Sequence, residues 1–391
     1  MASHCKNKFF LTILTVASLT WTVTSMQRIR SCYSPVKGYI FCSFTIHDQW
    51  NFVYFRSWLD SLKSPVKHVE LNLQCLGSGS VYLPWPMRAR GLKKFHMKNC
   101  NIKGYFSEYN KDPIYPDTLT DISMIDCTIE TDVNSNIQRT LLTRVSKSYN
   151  CGQQTVRSHV MRNISFSFLP TSSPPPLKDL DRAFSAMRRQ SRNRENACNY
   201  HSLFHMEESQ SDSVSSIHFD VMTDISDYPN LKTFNFSSNL LTHLPRHLKQ
   251  WHKHFPALEI LDLSKNLLRN FAFEKPGVSG RRKIIFVNLQ HNRITDVPRN
   301  IASYIDGQVP VIIDLRNNPI KCTYNTFELV KYLNKMKEMF PVLSFMADIK
   351  CTLSTISKKS KPLQNRNDKV SENENSSRSK FLQLFNLFGF K

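Results

Sequence analysis

A frame of short apolar alternation closed by an asparagine occurs four times between residues 231 and 320. The asparagines are Asn239, Asn266, Asn292 and Asn318, which are spaced 27, 26 and 26 residues apart. A period of two predicts one short strand in each copy. The apolar residues are Leu231, Phe234, Phe236, Leu241 and Leu244 in the first copy, Leu258, Leu261, Leu263, Leu268 and Phe271 in the second, Ile284, Val287, Leu289, Ile294 and Val297 in the third, and Ile313, Leu315 and Ile320 in the last.

The frame resembles the L-x-x-L-x-L-x-x-N-x-L consensus of leucine-rich repeats. This resemblance implies an α/β leucine-rich repeat solenoid, a horseshoe whose strands form one curved parallel sheet. No single copy can bury its own apolar face, so neighbouring copies have to stack and share a continuous core. Asparagine suits the turn after each strand because its amide both donates to and accepts from backbone groups that the turn leaves unpaired.

A less regular group of copies covers residues 66–169, ahead of the main group at residues 214–320. Cys100 and Cys127 stand there at the asparagine position, which favours buried thiols. A redox or metal-binding pair of cysteines is the alternative. The apolar residues of this group are Val66, Val69 and Leu71, then Leu92, Phe95, Met97 and Ile102, then Leu119, Ile122, Met124 and Ile129.

Residues 1–25 have the pattern of a secretory signal peptide, and an uncleaved membrane anchor is the alternative. Lys6 and Lys8 precede an apolar run, and Val23 and Ser25 are small enough for the positions before a cleavage site. No later stretch reaches the roughly 20 apolar residues of a membrane span. We therefore expect a secreted, extracellular protein with no transmembrane segment. The formal net charge of +21 indicates acidic partners rather than any particular fold.

Disulfide-stapled caps are expected because the ends of a solenoid expose apolar surface. Residues 26–65 form the predicted N-terminal cap, with a Cys32–Cys42 bridge and a helix over residues 52–62. The pairing of the internal cysteines, Cys75, Cys100, Cys127, Cys151 and Cys198, stays open.

The far end of the array resembles the cysteine-stapled C-terminal cap of extracellular leucine-rich repeat proteins. That resemblance implies a Cys322–Cys351 bridge within residues 321–357, where the spacing of Phe327, Val330, Leu333 and Met336 predicts a helix. Residues 358–391 are a predicted tail.

Residues 170–213 predict a disordered basic and Ser-rich loop, because they cannot bury enough apolar surface to offset the entropy of ordering. The loop contains Arg188, Arg189, Arg192 and Arg194, and cleavage by a secretory convertase between Arg189 and Arg192 stays open. Cys198, His201 and His205 have the ligand types of half a zinc site. No second pair of ligands is visible in the sequence, so a solvated loop is the preferred interpretation.

Strand alternation predicts which side chains point away from the core. Ile260, Phe286 and Ile312 would line up as an apolar stripe on an exposed concave face, the kind of patch that marks an interaction site. Coverage of this stripe by a cap or by the loop is the alternative. The predicted partner-binding residues of the concave face are Ile260, Asp262, Phe286, Asn288, Gln290, Ile312, Asp314 and Arg316.

The sequence contains no catalytic, cofactor-binding or metal-binding motif, so we expect a binding protein rather than an enzyme. Sequons predict N-glycosylation at Asn163, Asn235 and Asn375, and a glycan on Asn235 would stand on the concave face.

The array that ends in Asn317-Asn318-Pro319 and its cysteine cap resembles the insect secreted type represented by singed wings and halfway. This resemblance implies an extracellular protein ligand or receptor in ecdysone-dependent development, and no nucleic-acid partner. An innate-immune recognition protein and a matrix component bound to acidic glycosaminoglycan are the alternatives.

Overall fold

The computed structural model describes residues 31–84, 87–104, 115–132, 153–169, 198–211, 226–273, 285–299, 311–339 and 349–352. These residues form a mixed α/β structure dominated by one 11-stranded sheet. The helices are α1 (Phe52–Ser61), α2 (Arg246–Lys249), α3 (Trp251–His254) and α4 (Tyr324–Met339). The strands are β1 (Cys32–Tyr33), β2 (Tyr39–Ile46), β3 (Gln49–Asn51), β4 (His68–Cys75), β5 (Ser80–Tyr82), β6 (Leu92–Lys98), β7 (Asn101–Lys103), β8 (Asp121–Ile125), β9 (Thr128–Asp132), β10 (Ser158–Arg162), β11 (Ser165–Leu169), β12 (Cys198–Asn199), β13 (His205–Ser209), β14 (Ser226–Asp227), β15 (Thr233–Asn235), β16 (Ile260–Asp262), β17 (Ile285–Asn288) and β18 (Val311–Asp314).

The large sheet has the order β1-β2-β4-β6-β8-β10-β13-β15-β16-β17-β18. Strand β1 pairs antiparallel with β2, and every other neighbouring pair is parallel. Strands β3, β5, β7, β9 and β11 form a second parallel sheet, so the chain passes alternately through the two sheets from β2 to β11. The predicted parallel sheet is confirmed, whereas its horseshoe curvature stays a prediction.

The apolar positions of the frame belong to one hydrophobic core. Each described apolar residue of the frame from Leu92 to Ile320 is no more than 3 % exposed, and Val69 and Leu71 are fully buried. Residues of the second sheet, such as Val81, Ile102 and Ile129, belong to the same core. Ile284 lies outside the described residues. The period-two pattern therefore predicted the buried face of the large sheet correctly.

The turn that follows a strand of the large sheet has a left-handed residue in eight places. Non-glycine residues with positive φ are uncommon, so their recurrence at one position shows that the same turn is used each time. In the last four turns this residue directly precedes the asparagine of the frame. The eight residues, with φ between 54° and 60°, are Asn99, Asp126, Asn163, Gln210, Ser238, Lys265, His291 and Asn317.

The four frame asparagines are buried and bond only to backbone groups in the pattern that the sequence predicted. The Nδ2 of Asn266 donates to the carbonyl of Phe236 in the preceding copy (2.9 Å) and to that of Leu263 in its own copy (3.1 Å). Its Oδ1 accepts a hydrogen bond from the backbone N–H of Leu241 (3.1 Å). Asn292 and Asn318 repeat these contacts one and two copies later.

Both predicted caps contain the expected bridges, Cys32–Cys42 and Cys322–Cys351. Helix α1 begins after Asn51, whose side chain accepts a hydrogen bond from the backbone N–H of Val53, and it buries Phe52, Phe55 and Leu59. Helix α4 packs Leu329, Tyr332 and Leu333 inward and leaves Phe327 64 % exposed. The Tyr332 hydroxyl donates to the carbonyl of Val311, which joins α4 to the last strand of the sheet.

A third disulfide joins Cys75 to Cys100. The expectation of a buried thiol was therefore wrong for Cys100, because the two cysteines stand on neighbouring turns with Cα atoms 5.0 Å apart. It is confirmed for Cys127, whose thiol is free and donates to the carbonyl of Ile125 (3.2 Å). Burial raises the pKa of the Cys127 thiol to about 11. Cys151 lies outside the described residues, as does the side chain of Cys198.

The predicted loop at residues 170–213 was wrong at its C-terminal end, because residues after 197 form two strands. Strand β13 (His205–Ser209) belongs to the large sheet, between β10 and β15, and β12 pairs with β14 in a small separate sheet. The sequence pattern did not predict this strand, because Met206 is its only strongly apolar residue and Glu207 and Glu208 are charged. Residues 170–197, with the arginine cluster at 188–194, lie outside the described residues.

Replacement of Asn266 by alanine tests the asparagine contacts. Asn266→Ala leaves the buried Leu241 N–H without its partner. It also removes one of two side-chain donors from the carbonyls of Phe236 and Leu263, which keep Asn239 and Asn292 respectively. We expect a loss of about 3 kcal/mol in the free energy of unfolding. Asn270→Ala is the matched control, because Asn270 is exposed in the same copy. Urea unfolding of both variants measures the difference. Equal stability of the two variants would remove the structural role of the asparagine.

Mass spectrometry with and without denaturant tests the cysteine assignment. Iodoacetamide at pH 8 should leave Cys127 unlabelled in the native protein, because its raised pKa leaves almost no thiolate, and should label it fully in guanidinium. A non-reducing digest should yield a Cys75–Cys100 linked peptide. A peptide that links Cys100 to Cys127 would contradict the assignment.

Candidate binding face of the large sheet

The parallel register places the predicted partner-binding residues in three rows across the sheet. The first row contains Thr233, Ile260, Phe286 and Ile312, and the second contains Asn235, Asp262, Asn288 and Asp314. The third row follows the strand ends with Ser237, Ser264, Gln290 and Arg316. The alignment of Ile260, Phe286 and Ile312 on adjacent strands is therefore confirmed.

The first row is accessible over only part of its length. Ile260 and Phe286 are half-buried, whereas Ile312 is 2 % exposed. All four residues of β18 are buried on both sides of the strand. The apolar stripe is therefore partly exposed at β16 and β17, as an interaction site requires, and is covered at β18.

Side chains of the second row form hydrogen bonds with the backbone at the ends of their own strands. Asp262 accepts a hydrogen bond from the backbone N–H of Ser264 (2.9 Å), two residues further on. Asn235, Asn288 and Asp314 make the same contact with the residues two positions after them. Such side-chain turns satisfy backbone donors at the strand end. The row therefore stabilises the sheet, whatever else it contacts.

Polar contacts also join the rows across the strands. Asn288 donates to Asp262 (3.2 Å) and Gln290 donates to Asp314. Arg316 forms an ion pair with Asp314 through its Nε (3.0 Å) and Nη2 (2.8 Å). Burial raises the pKa of Asp262, while hydrogen bonds from Ser264 and Asn288 oppose that change. Since Asp314 is fully buried, it is unavailable to a partner.

A second Arg–carboxylate pair lies on the same face, at β10 and β13. Arg162 donates to both carboxylate oxygens of Glu207, at 2.7 and 3.0 Å, and the Ser209 hydroxyl donates to the first of them. Burial pushes the pKa of Glu207 upward, but Arg162 and Ser209 outweigh it and hold the pKa below its ordinary value. Sequence analysis missed this pair because it assigned Glu207 to the loop.

The neighbouring Glu208 points into the core. It occupies the position of Phe236 and Leu263 in the following copies, is 8 % exposed, and its Oε2 has no hydrogen-bond partner. Burial raises the pKa of Glu208 to about 7. Nothing in the sequence indicates that Glu208 is buried, because a glutamate in a polar stretch is expected to lie in a loop.

The sequons and possible ligand sites can be located in part. Asn163 is exposed, and its Nδ2 donates to Asp126, whereas Asn235 is half-buried on the sheet face. Asn375 lies outside the described residues. Within the described ranges, no group of three or more His, Cys, Asp and Glu side chains is arranged to hold a metal ion. In the same ranges, no helix has the length and apolar character needed to cross a membrane.

No protein-family model matches this chain, and no curated protein is detectably similar to it. The interpretation of the face therefore depends on its own residues. They present half-buried Ile260 and Phe286 above a polar row that is largely occupied by internal hydrogen bonds.

The pH dependence of stability tests the position of Glu208. The folded state holds the pKa of Glu208 at about 7, above its ordinary value of 4.5. Ionisation of this buried carboxylate lowers the free energy of unfolding. The loss is absent below pH 4.5, grows as the pH rises to 7, and is constant above that value. Glu208→Gln cannot ionise, so it should match the wild type at pH 4.5 and be more stable at pH 8 by about 3 kcal/mol.

Glu207→Gln is the control from the adjacent residue. Because the folded pKa of Glu207 is lowered, the ionised carboxylate adds to the free energy of unfolding above the ordinary pKa of 4.5. This stabilisation is lost as the pH falls through the folded value. This variant should be less stable than the wild type at pH 8, the opposite sign to Glu208→Gln. Urea unfolding between pH 4 and 8 compares them, and a destabilised Glu208→Gln at pH 8 would contradict the core position.

Proposed function

We propose that this chain is a secreted leucine-rich repeat protein whose parallel sheet binds an extracellular protein partner. The observation that carries this proposal is the half-exposed apolar pair Ile260 and Phe286 on a sheet face otherwise lined by polar side chains. Aromatic and aliphatic residues at the centre of a polar rim are the usual anchors of protein interfaces. The partner would be a ligand or receptor in developmental signalling, as the resemblance to secreted insect proteins suggests.

Three further observations support the leucine-rich repeat assignment. The asparagines contact the backbone of their own copy and of the copy before it, as stacked coils require. The left-handed residue recurs before each of them. Each of the four copies also adds one strand to the large sheet, where β15, β16, β17 and β18 are consecutive parallel neighbours.

The disulfides support the extracellular part of the proposal. Three bridges lie in the described residues, one in each predicted cap and one between neighbouring turns. Disulfides of this kind persist in oxidising compartments and are rare in the cytosol. The signal-peptide pattern at residues 1–25 agrees with this placement.

The recognition surface is narrower than the eight residues that the sequence suggested. Ile312, Asp314 and Asn288 are buried, which leaves the half-buried Ile260 and Phe286 as the accessible apolar members. Asp262, Gln290 and Arg316 are half-buried but bond within the sheet. We assign the partner contact to β16 and β17 rather than to the last strand.

Binding of the tagged, secreted protein to cultured cells tests this assignment. The wild type should bind saturably, and Ile260→Ser with Phe286→Ser should weaken binding roughly tenfold or more, since central apolar anchors dominate interface energies. Leu76→Ser with Leu240→Ser is the matched control, because both leucines are exposed (43 % and 44 %) outside the three rows. Equal loss in the two double variants would contradict the sheet face as the binding site, and unfolding curves would show that each variant is folded.

A further inference from the structure

Two aromatic side chains at the start of α4 point away from the core. Tyr324 and Phe327 are 76 % and 64 % exposed, and Tyr324 is the most exposed large hydrophobic side chain that the structure describes. They stand three residues apart in the helix, so they lie on one face. Leu329 and Leu333 are buried on the other side of α4. The helix therefore carries apolar residues outside its packed face, which indicates a further contact. We call Tyr324 and Phe327 the aromatic pair.

The described part of the chain ends beside the aromatic pair. The backbone N–H of Thr352 donates to the carbonyl of Ile320 (2.8 Å), and its carbonyl accepts from the N–H of Cys322 (2.9 Å). The Cys322–Cys351 disulfide holds the same point. Helix α4 starts two residues after Cys322, so the chain beyond Thr352 starts close to the aromatic pair.

One stretch beyond Thr352, outside the described residues, is strongly apolar in sequence. Seven of the ten residues from 381 to 390 are Phe or Leu, whereas only four of the 28 residues from 353 to 380 are Leu, Ile or Val. Exposure of such a run to water is unfavourable, because burial of apolar surface lowers the free energy. A site for this run on the protein is therefore expected. We call residues 381–390 the apolar segment.

We propose that the apolar segment docks on the aromatic pair of its own chain and extends the C-terminal cap. The 28 connecting residues can span at most about 95 Å. Helix α4, with its 16 residues, is only about 24 Å long. The apolar segment can therefore reach the aromatic pair from Thr352. Its phenylalanine and leucine side chains would bury a large area there and gain from ring contacts.

A second copy of the chain and a different protein are the competing occupants of the aromatic pair. A tether raises the local concentration of the apolar segment to the order of millimolar, above the micromolar concentrations of a protein in solution. Docking within one chain is therefore favoured over docking between two chains. The proposal does not depend on the sheet face, because Ile260 and Phe286 lie on β16 and β17 and the aromatic pair lies on α4.

Photo-crosslinking from position 331 of the full chain tests the docking. Lys331 is exposed and follows Phe327 by four residues, so p-benzoylphenylalanine at this position leaves the aromatic pair in place on the same face. Irradiation should link it to the tryptic peptide 381–391 of the same chain, and the product should run as a monomer on a denaturing gel. The same label at Lys98, which is exposed on β6, should give no such link.

Substitution of the aromatic pair tests the helix side of the contact. Y324S/F327S should lower the yield of the link roughly tenfold or more, since central aromatic anchors dominate the binding energy of a contact. The matched control is Y33S/V36S, which removes two comparably exposed side chains (60 % and 64 %) near β1. This control should leave the yield unchanged.

Substitution of the apolar segment tests the other side of the contact. F385S/F388S should lower the yield by a similar factor, because it removes two of the aromatic side chains that would cover the pair. Its matched control is I356S/L363S, which removes two apolar residues from the connecting stretch and should keep the yield.

Several outcomes would overturn the proposal. A linked dimer would place a second copy on the aromatic pair. A link only to other peptides, no link at all, or an equal yield from position 98 would show that the apolar segment does not dock there. An undiminished yield in Y324S/F327S or in F385S/F388S, or an equal loss in their controls, would have the same meaning. Thermal unfolding shows that every variant is folded.

Discussion

The buried asparagine amide is the contact on which the regular part of this fold depends. Each turn after a strand leaves backbone groups inside the protein, where an unpaired N–H or carbonyl is costly. Asn292 bonds to the carbonyls of Leu263 and Leu289 and accepts from the N–H of Leu268, so one side chain joins two consecutive copies. That link keeps neighbouring strands in register, and the register in turn produces the rows of side chains on the sheet face.

Earlier in the chain the same position is filled by other chemistry. Cys100 is bonded covalently to Cys75, Cys127 donates through its thiol, and Ser211 donates its hydroxyl to the carbonyl of Ile164 (2.6 Å). The left-handed residue is nevertheless present before each of Cys100, Cys127, Ile164 and Ser211. The backbone turn is thus the constant feature, and the side chain that satisfies it varies. In β13, Glu208 places a buried carboxylate, whose Oε2 has no hydrogen-bond partner, at a core position that is apolar in the following copies.

Sequence pattern predicted the core and the caps but not the contacts between copies. Period-two apolar residues identified nearly every buried position of the frame, because burial of one strand face is a local property. The Cys75–Cys100 bridge was hidden, since pairing depends on which turns become neighbours. Strand β13 was missed because Glu207 and Glu208 resemble loop residues, and the strand depends on pairing with β10 and β15 and on the ion pair with Arg162. Alternation also predicted the direction of Ile312 but not its coverage.

The internal use of carboxylates explains the character of the sheet face. Glu207 and Asp314 pair with arginines, Asp262 closes a strand end, and Asp117 accepts from Gln154 and Thr155. These carboxylates hold the sheet together, and two of them use arginines as their partners. A sheet face with its polar row already bonded favours apolar contact at Ile260 and Phe286.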